Sequence, residues 1–414
     1  MYKPPLKVGI VGCGGVSKGV YVDLYAGLGE IAQVVAVADM RDEMAEERRQ
    51  HLVDAYIAEA ASNRVLAARA SGTDQQEVYI KKADAADVAA KNNIRKYKNH
   101  EELLKDEEVQ VMVLLTNPTI RAVPVVAAAQ AGKHVFSEGP MAPSVEEADA
   151  IVDAVKKSGI KYHNQCMPMY TRGVALAQKA VASGKMGKMG FAKIEMNRYR
   201  PPSYYKGWQG KWELEGGNAA YHHGRYWIDP FLWIVGSPIV EVFAHAGPQL
   251  RDIETDSVAM TLVRFANGAY GYIFSSLISH PIPGRPIHGG RIEVQGMDAG
   301  LFASSGPYGG GPEVTTTFDS GDNPAAVAAL EELRKEVTHI PESGELGGNG
   351  QRDLTRMFFD TIFNDTEPMV PIDIYWRHAE LSRAIYKSAE ERDIVKLPLD
   401  KNDPFYSPRV PKLR

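Results

Sequence analysis

The run "VGIVGCGGVSKG" places Gly12, Gly14 and Gly15, then Val16 and Ser17, directly after a β-branched stretch. Small residues at that spacing let a backbone come close to a pyrophosphate, whose charge is favoured at the N-terminus of a following helix. A second apolar run, "AQVVAVAD", ends on Asp39, at the separation expected across one strand–helix–strand unit. A carboxylate there can accept hydrogen bonds from an adenosine ribose and repels a 2′-phosphate. These residues therefore point to NAD, with NADP the less favoured cofactor because Arg41 offsets only part of the repulsion. A βα turn without a nucleotide is the plainer alternative, and the strand, the helix and Asp39 together weigh against it.

A second constellation lies in "YHHGRY". Hydride transfer is mostly the cofactor's chemistry, and the protein must orient the substrate and move one proton. Tyr226, with an ordinary pKa of about 10, could exchange that proton if a neighbouring cation lowers the value. His222, four residues earlier, shares a side with Tyr226 if the segment is helical, and an imidazole titrates near neutrality. Arg225 and Arg121 are candidates for the cation, and His223 is a substrate-side candidate. His222, His223 and His163 with Glu195 or Asp229 would make a nitrogen and oxygen ligand set for zinc, iron or manganese. Adjacent histidines point to different sides of most local structures, so no metal is expected. Upstream, "RYRPPSYYKGWQGKW" offers Arg198, Tyr199, Trp208 and Trp212, ring faces and donors that suit a sugar.

These residues sit in a chain of 414 residues with 44% hydrophobic and 24% charged residues, the composition of a folded enzyme. The net charge of −5 is spread along the sequence without a basic stripe, which excludes a nucleic-acid footprint and leaves small neutral or anionic ligands open. Cys13 and Cys166 form no C-x-x-C pair, which fits a reducing compartment. No apolar run reaches the roughly 18 residues of a membrane span. The opening "MYKPPLKVGIVG" reads as the approach to a strand rather than as a signal peptide, so a cytoplasmic protein is expected.

Strands and helices alternate through the first third, with "VQVMVLLT" and "KHVFSEG" as strands and "IRAVPVVAAAQAG" as a helix that Gly132 stops. That order predicts an α/β fold with a doubly wound parallel Rossmann sheet over residues 1–142. Leu52, Val53, Tyr56, Ile57 and Ala60 recur at helical spacing inside a long crossover, predicting an added helix or helical hairpin over about 43–93. A helix that Ser144 caps and Gly159 ends opens the second domain, 143–414. From Lys193 onward strands dominate, and Asn267-Gly268 between two alternating runs predicts a two-residue hairpin. The second domain is thus α/β with an open, mostly antiparallel sheet. It closes on an amphipathic helix over about 374–392, with Trp376, Leu381, Ile385 and Tyr386 on one face. The glycine-rich "SSGPYGGGPE" near 304–313 reads as a loop.

Taken together, the stretches "VGIVGCGGVSKG", "VVAVADMRDE", "AAAQAGKHVFSEGP", "EGGNAAYHHGRYWIDPFLWIVG" and "VRFANGAYGYI" resemble the Gfo/Idh/MocA family over nearly the whole chain. The resemblance implies an oxidoreductase that moves a hydride between a nicotinamide and a carbon-bound oxygen of a sugar, cyclitol or related molecule. It implies a homodimer or homotetramer joined through the open sheet. It also implies cofactor contacts from Thr116, Asn117, Arg121, Glu138, Gly139, Pro140 and Asn164, and a polar substrate neighbourhood at His163, Asn164 and Gln165. The aromatic segment from Arg198 to Trp212 would lie near the site's mouth.

Three departures from the family pattern stand out. Gly139 replaces the lysine of the usual Glu-Lys-Pro, His222 and Tyr226 stand at the family's aspartate and histidine, and Arg121 stands where a histidine is common. The expectation is that cofactor binding is retained while proton handling has moved to Tyr226 and His222. An NAD-dependent lyase or hydrolase acting through a transient keto-sugar, and a non-catalytic nucleotide- or sugar-binding homologue, remain as alternatives.

Overall fold

The computed structural model describes residues 4–280, 288–305, 314–340 and 350–413, and within it the chain divides into two compact units. The first comprises Met1–Glu138, Asp153–Gln165 and Leu354–Pro368, and the second comprises Gly139–Val152, Cys166–Asp353 and Met369–Arg414.

Six short runs form the first sheet: β1 (Leu6–Val11), β2 (Ala32–Ala38), β3 (Arg95–Tyr97), β4 (Val111–Leu114), β5 (His134–Ser137) and β6 (Tyr162–Asn164). They are parallel in the order β3-β2-β1-β4-β5-β6, the doubly wound arrangement that the alternation predicts. β2 and β4 are buried at every position, which is why they read as continuous apolar runs without alternation. β6 and residues 354–368 join this unit, so a single boundary at 142/143 does not describe the division. The sixth strand must follow its crossover helix, Val145–Ser158, before it can pair with β5. Ser144 caps that helix, receiving the Glu147 amide at 3.3 Å and donating to the Glu147 carboxylate at 2.6 Å.

The long crossover after β2 is the predicted helical pair, Asp42–Arg69 and Asp74–Ala90. Tyr56 and Ala60 from one helix pack with Ala86 and Ala89 from the other and with Ala26. The Tyr56 hydroxyl oxygen accepts the Val34 amide at 3.1 Å, tying the pair to β2. Ile57 lies on the outward face and is exposed.

The second sheet contains β7 (Met189–Arg198), β8 (Ile239–Gly247), β9 (Val258–Phe265), β10 (Tyr270–Ser276), β11 (His288–Gly296), β12 (Gly300–Ser305), β13 (Val314–Asp319) and β14 (Val395–Lys396). Its order is β13-β12-β11-β7-β10-β9-β8-β14, antiparallel except for the parallel pair β7 and β10. Ala192, Ile194 and Met196 alternate inward along β7, whereas Met260, Leu262, Tyr270 and Phe302 lie on the exposed face. The β9–β10 turn is wider than the expected two residues. Phe265 and Ala269 bracket Ala266-Asn267-Gly268, and Gly268 at φ +89° supplies the left-handed residue of a bulged three-residue turn. The closing helix runs Ile372–Glu391 and buries Leu381, Ile385 and Tyr386. Trp376 is only half-buried, and its indole donates to Asp149 at 2.8 Å. Most of the glycine-rich segment lies outside the described residues. Among the described residues no helix is long and apolar enough to cross a membrane.

Candidate active site

Within the first unit the chain leaves β1 through Gly12, whose φ of +97° and close approach to the Leu115–Thr116 backbone exclude a side chain. A Cβ on Gly14 or Gly15 would meet nothing within 4 Å, so the turn leaves an open cradle at the start of the next helix. Asp39 lies at the end of β2, accepting the Cys13 amide at 2.9 Å and the Arg41 amide at 3.0 Å. Each carboxylate oxygen keeps a further lone pair for a ribose hydroxyl. The Arg41 side chain stands 3.6 Å from Asp39 and is exposed, whereas Arg48 is fully buried and donates to the Cys13 carbonyl at 3.1 Å. Arg48 braces the glycine turn, a role its place in a charged helical run did not reveal.

Ser17 Oγ, Thr116 Oγ1 and Asn164 Nδ2 are buried without hydrogen-bond partners among the described residues. Such orphaned groups need an external partner, and with the cradle and Asp39 they fit a dinucleotide. Val16 is partly exposed at the turn, and Asn117 precedes the short turn Pro118–Ile120. Arg121 is buried and turned back on the Thr116 carbonyl, at 2.7 Å from Nη2. The Tyr21 hydroxyl donates to Glu138, linking the helix after the glycine turn to the end of β5. Gly139 follows at φ +79° and Pro140 is buried.

His163 departs from the expected substrate side. Its ring packs against Phe136 at 4.6 Å and Phe358 at 5.4 Å, and burial pushes its pKa down to about 3. It is a neutral core residue of the first unit. Cys13 is likewise buried, its thiol pushed up to about 12 chiefly by desolvation.

The second unit gathers a separate polar cluster. The helix Trp212–Glu215 ends at Gly216, and Asn218–His222 follows as a wide, π-type turn. Buried Asp256 holds that turn by accepting the Asn218 amide at 2.8 Å, the Ala220 amide at 2.7 Å and the Tyr386 hydroxyl at 2.9 Å. The turn delivers His222 to Glu215, with Nδ1 2.7 Å from Oε1. Glu215 is fully buried, and desolvation raises its pKa to about 8. Trp208 stands beside His222 at 5.4 Å.

The geometric reason for expecting no metal fails here. At the end of the π-type turn the rings of His222 and His223 stack at 4.9 Å rather than diverge, and Glu215, His222 and His223 offer ligand atoms within 4.8 Å of one another. Both His223 nitrogens are nevertheless in use. Arg198 Nη1 lies 2.9 Å from Nδ1 and the Tyr204 hydroxyl 3.0 Å from Nε2. A guanidinium can only donate, so Nδ1 accepts and Nε2 carries the proton. Burial, then His222 and Arg198, push the His223 pKa far below its usual value. A cation at this point would have to displace Arg198 or Tyr204. Of the other proposed ligands, Glu195 pairs with Arg291 at 2.5 Å and buried Asp229 lies 2.6 Å from His378.

His222 and Tyr226 do not share one continuous helix, because the π-type turn ends before the helix Arg225–Val235 begins. Arg225 bridges them instead, donating to the His222 carbonyl at 2.7 Å and to the Tyr226 hydroxyl oxygen at 2.8 Å. Two guanidiniums lie close to the Tyr226 ring, Arg225 at 4.1 Å and Arg198 at 5.0 Å from its centroid. Tyr199 lies against His280, the two rings tilted with centroids 4.6 Å apart. Trp212 is a second departure: it is buried edge-on against Tyr386 at 5.0 Å, in the core rather than at a ligand surface. Glu215 and Tyr204 were not foreseen, since "WELE" reads as an ordinary charged helix end.

Comparison with known proteins agrees with the two-sheet fold. Residues 55–165 match the family model described as "Oxidoreductase family, NAD-binding Rossmann fold", and residues 174–302 match "GFO/IDH/MocA C-terminal domain". The chain belongs to the Gfo/Idh/MocA family. Its first unit is that family's NAD-binding Rossmann domain. Levoglucosan dehydrogenase of Pseudarthrobacter phenanthrenivorans is 28% identical over 202 residues, 43% of this chain and 52% of that protein. Myo-inositol 2-dehydrogenase of Thermotoga maritima is 27% identical over 221 residues, 50% of this chain and 60% of that protein. The chain thus spans between half and two thirds of the length of these curated relatives. The crystal structure of the WlbA dehydrogenase of Bordetella pertussis, in complex with NADH and UDP-GlcNAcA, superposes with a TM-score of 0.71 at 23% identity. That match covers 97% of this chain and 100% of the other, and it establishes the fold.

Proposed function

We propose that this family member is an NAD-dependent oxidoreductase that acts on a sugar, cyclitol or sugar-derived alcohol. Bound NAD supplies the hydride acceptor. The residues of this chain handle the proton that leaves the substrate hydroxyl as its carbon gives up hydride: His222, positioned by Glu215, and Tyr226, held by Arg225. The observation that carries the reading is the buried Glu215–His222 pair, 2.7 Å apart. A carboxyl group kept from water against an imidazole is costly to maintain in a protein that only binds, and it is a usual way to hold a histidine in one tautomer. Asp39 favours NAD over NADP, and Gly12, Gly14, Gly15, Ser17, Thr116 and Asn164 are the proposed cofactor contacts.

The proton chemistry needs no metal in this reading, so prolonged dialysis against a chelator leaves activity unchanged. The exposed face bearing Met260, Leu262, Tyr270 and Phe302 supports a homodimer or homotetramer, and two buried free thiols fit a reducing cytoplasm. The test is incubation of the whole protein with NAD and a panel of polyols, cyclitols and sugars, followed by reduced-nicotinamide absorbance. Absence of signal across the panel, with NAD binding intact by titration, overturns the reading. Net product from catalytic NAD replaces it with the lyase or hydrolase alternative.

A further inference from the structure

Two arginines beside the proposed proton-handling residues lack an acidic partner. Arg198 ends β7 and Arg200 follows two residues later. Arg198 lies against the His223 ring nitrogen at 2.9 Å and the Tyr226 face at 5.0 Å, with the cations Arg200 and Arg225 nearby. Arg200 lies 4.7 Å from the centroid of the Tyr204 ring, and its Nε is buried without a hydrogen-bond partner. Among the described residues neither guanidinium has a carboxylate within ion-pair distance. A third, Arg251, donates to the Arg200 carbonyl at 2.8 Å and faces Tyr199 at 5.6 Å, again without an acid. Burial and the neighbouring arginines make Arg198 easier to deprotonate than a free guanidinium.

Guanidiniums that are partly withdrawn from water, as these half-buried ones are, are normally matched by carboxylates. Cation–π contacts with Tyr226 and Tyr204 offset part of the cost, and apart from the Arg198 Nη1 bond to His223 the forked donors have no partner among the described residues. Glu215 does not supply the missing charge: it faces His222 and the Gly210 amide, and it holds its proton up to about pH 8. The unmet requirement is for an anion with paired oxygens.

We propose that Arg198 and Arg200 form a subsite for an anionic group of the substrate, so that the alcohol oxidised belongs to an acidic sugar. The proposal rests on the oxidoreductase reading for its chemistry but not for its binding test. A carboxylate and a phosphate ester present the same paired oxygens to a guanidinium fork, and matched probes separate them.

The experiment uses the whole protein with NAD and three matched sets: neutral hexoses, the corresponding uronates and aldonates, and hexose phosphates. Turnover is measured for each, and calorimetric titration of D-glucuronate and glucose 6-phosphate is run in the presence of NADH. The expected result is kcat/KM about 100-fold higher for one acidic set than for its neutral counterparts, the size expected for charge-assisted hydrogen bonds. Preference for uronates assigns a carboxylate, and preference for hexose phosphates assigns a phosphate. Arg200→Gln and Arg198→Gln collapse the preference through KM, and Arg200→Lys, which keeps charge but loses the fork, restores part of it.

Efficient turnover of neutral sugars without an acidic preference overturns the subsite and leaves the oxidoreductase reading standing. Arginine-dependent binding of an acidic probe without nicotinamide reduction supports the subsite and removes the oxidoreductase reading. Absence of both binding and turnover for the acidic probes overturns the proposal.

Discussion

His222 Nδ1 lies 2.7 Å from the buried Oε1 of Glu215, so the two side chains share one proton. When that proton sits on Glu215, the carboxyl donates to Nδ1 and His222 Nε2 bears the other ring hydrogen, which makes it an acid. When the pair gives up the Nε2 proton, the shared proton moves onto Nδ1, which donates it to the carboxylate, and Nε2 presents a lone pair, which makes it a base. The switch is set by the Glu215 pKa of about 8. Alcohol oxidation is therefore expected to rise with pH through about 8, and carbonyl reduction to fall. In Glu215→Gln both limbs flatten, while His222→Ala lowers kcat by about 10²–10⁴. Initial rates in the two directions across pH 6 to 10, each variant beside the parent, check this; unchanged profiles in Glu215→Gln would remove its positioning role.

The same pair links pH to stability. Folded Glu215 keeps its proton to about 8, whereas the unfolded carboxyl releases it near 4.5 and an unfolded imidazole near 6.5. A folded pKa raised by burial means that stability is highest at low pH and declines as pH rises toward 8. Between about 6.5 and 8 the folded pair still holds a proton that the unfolded chain has lost. The melting temperature is expected to fall across that window, and the fall to be absent in Glu215→Gln.

Tyr226→Phe removes the oxygen that accepts from Arg225 and keeps the ring beside the two guanidiniums. The expected loss is tenfold or more in kcat with KM nearly constant, and about 1 kcal/mol in stability. Steady-state kinetics and urea unfolding separate the two effects.

Asp39→Ala removes the acceptor of the Cys13 and Arg41 amides and the charge that repels a 2′-phosphate. Affinity for NAD is expected to fall by about tenfold, with the ratio of NADP to NAD affinity rising. Fluorescence titration with the reduced cofactors measures both.

Trp212 distinguishes core from site. Trp212→Ala is expected to destabilise the protein by about 3–5 kcal/mol through loss of packing against Tyr386, whereas Trp208→Ala is expected to act mainly on KM. Thermal melts and substrate titrations of the pair check the assignment.

The Rossmann sheet was legible because buried parallel strands are written as uninterrupted apolar runs such as "VMVL", and the helical pair because Leu52, Tyr56 and Ala60 keep a helical period. The candidate site was legible only in part. His222 and Tyr226 could be named from chemistry and family position, but their separation by a π-type turn depends on Asp256, which lies far along the chain. Glu215 was hidden because nothing local tells a buried carboxylate from a solvated one. Trp212 and His163 looked like ligands because aromatic and polar types suit both cores and sites, and only the partners Tyr386, Phe136 and Phe358 decide between them.

Gly139, at φ +79°, limits which residues this turn can carry. A lysine placed there must adopt a left-handed backbone at a cost on the order of 1 kcal/mol, or move the turn between Glu138 and Pro140. The backbone of this turn therefore disfavours lysine at 139 before any contact of its side chain is considered, and selects glycine for its shape.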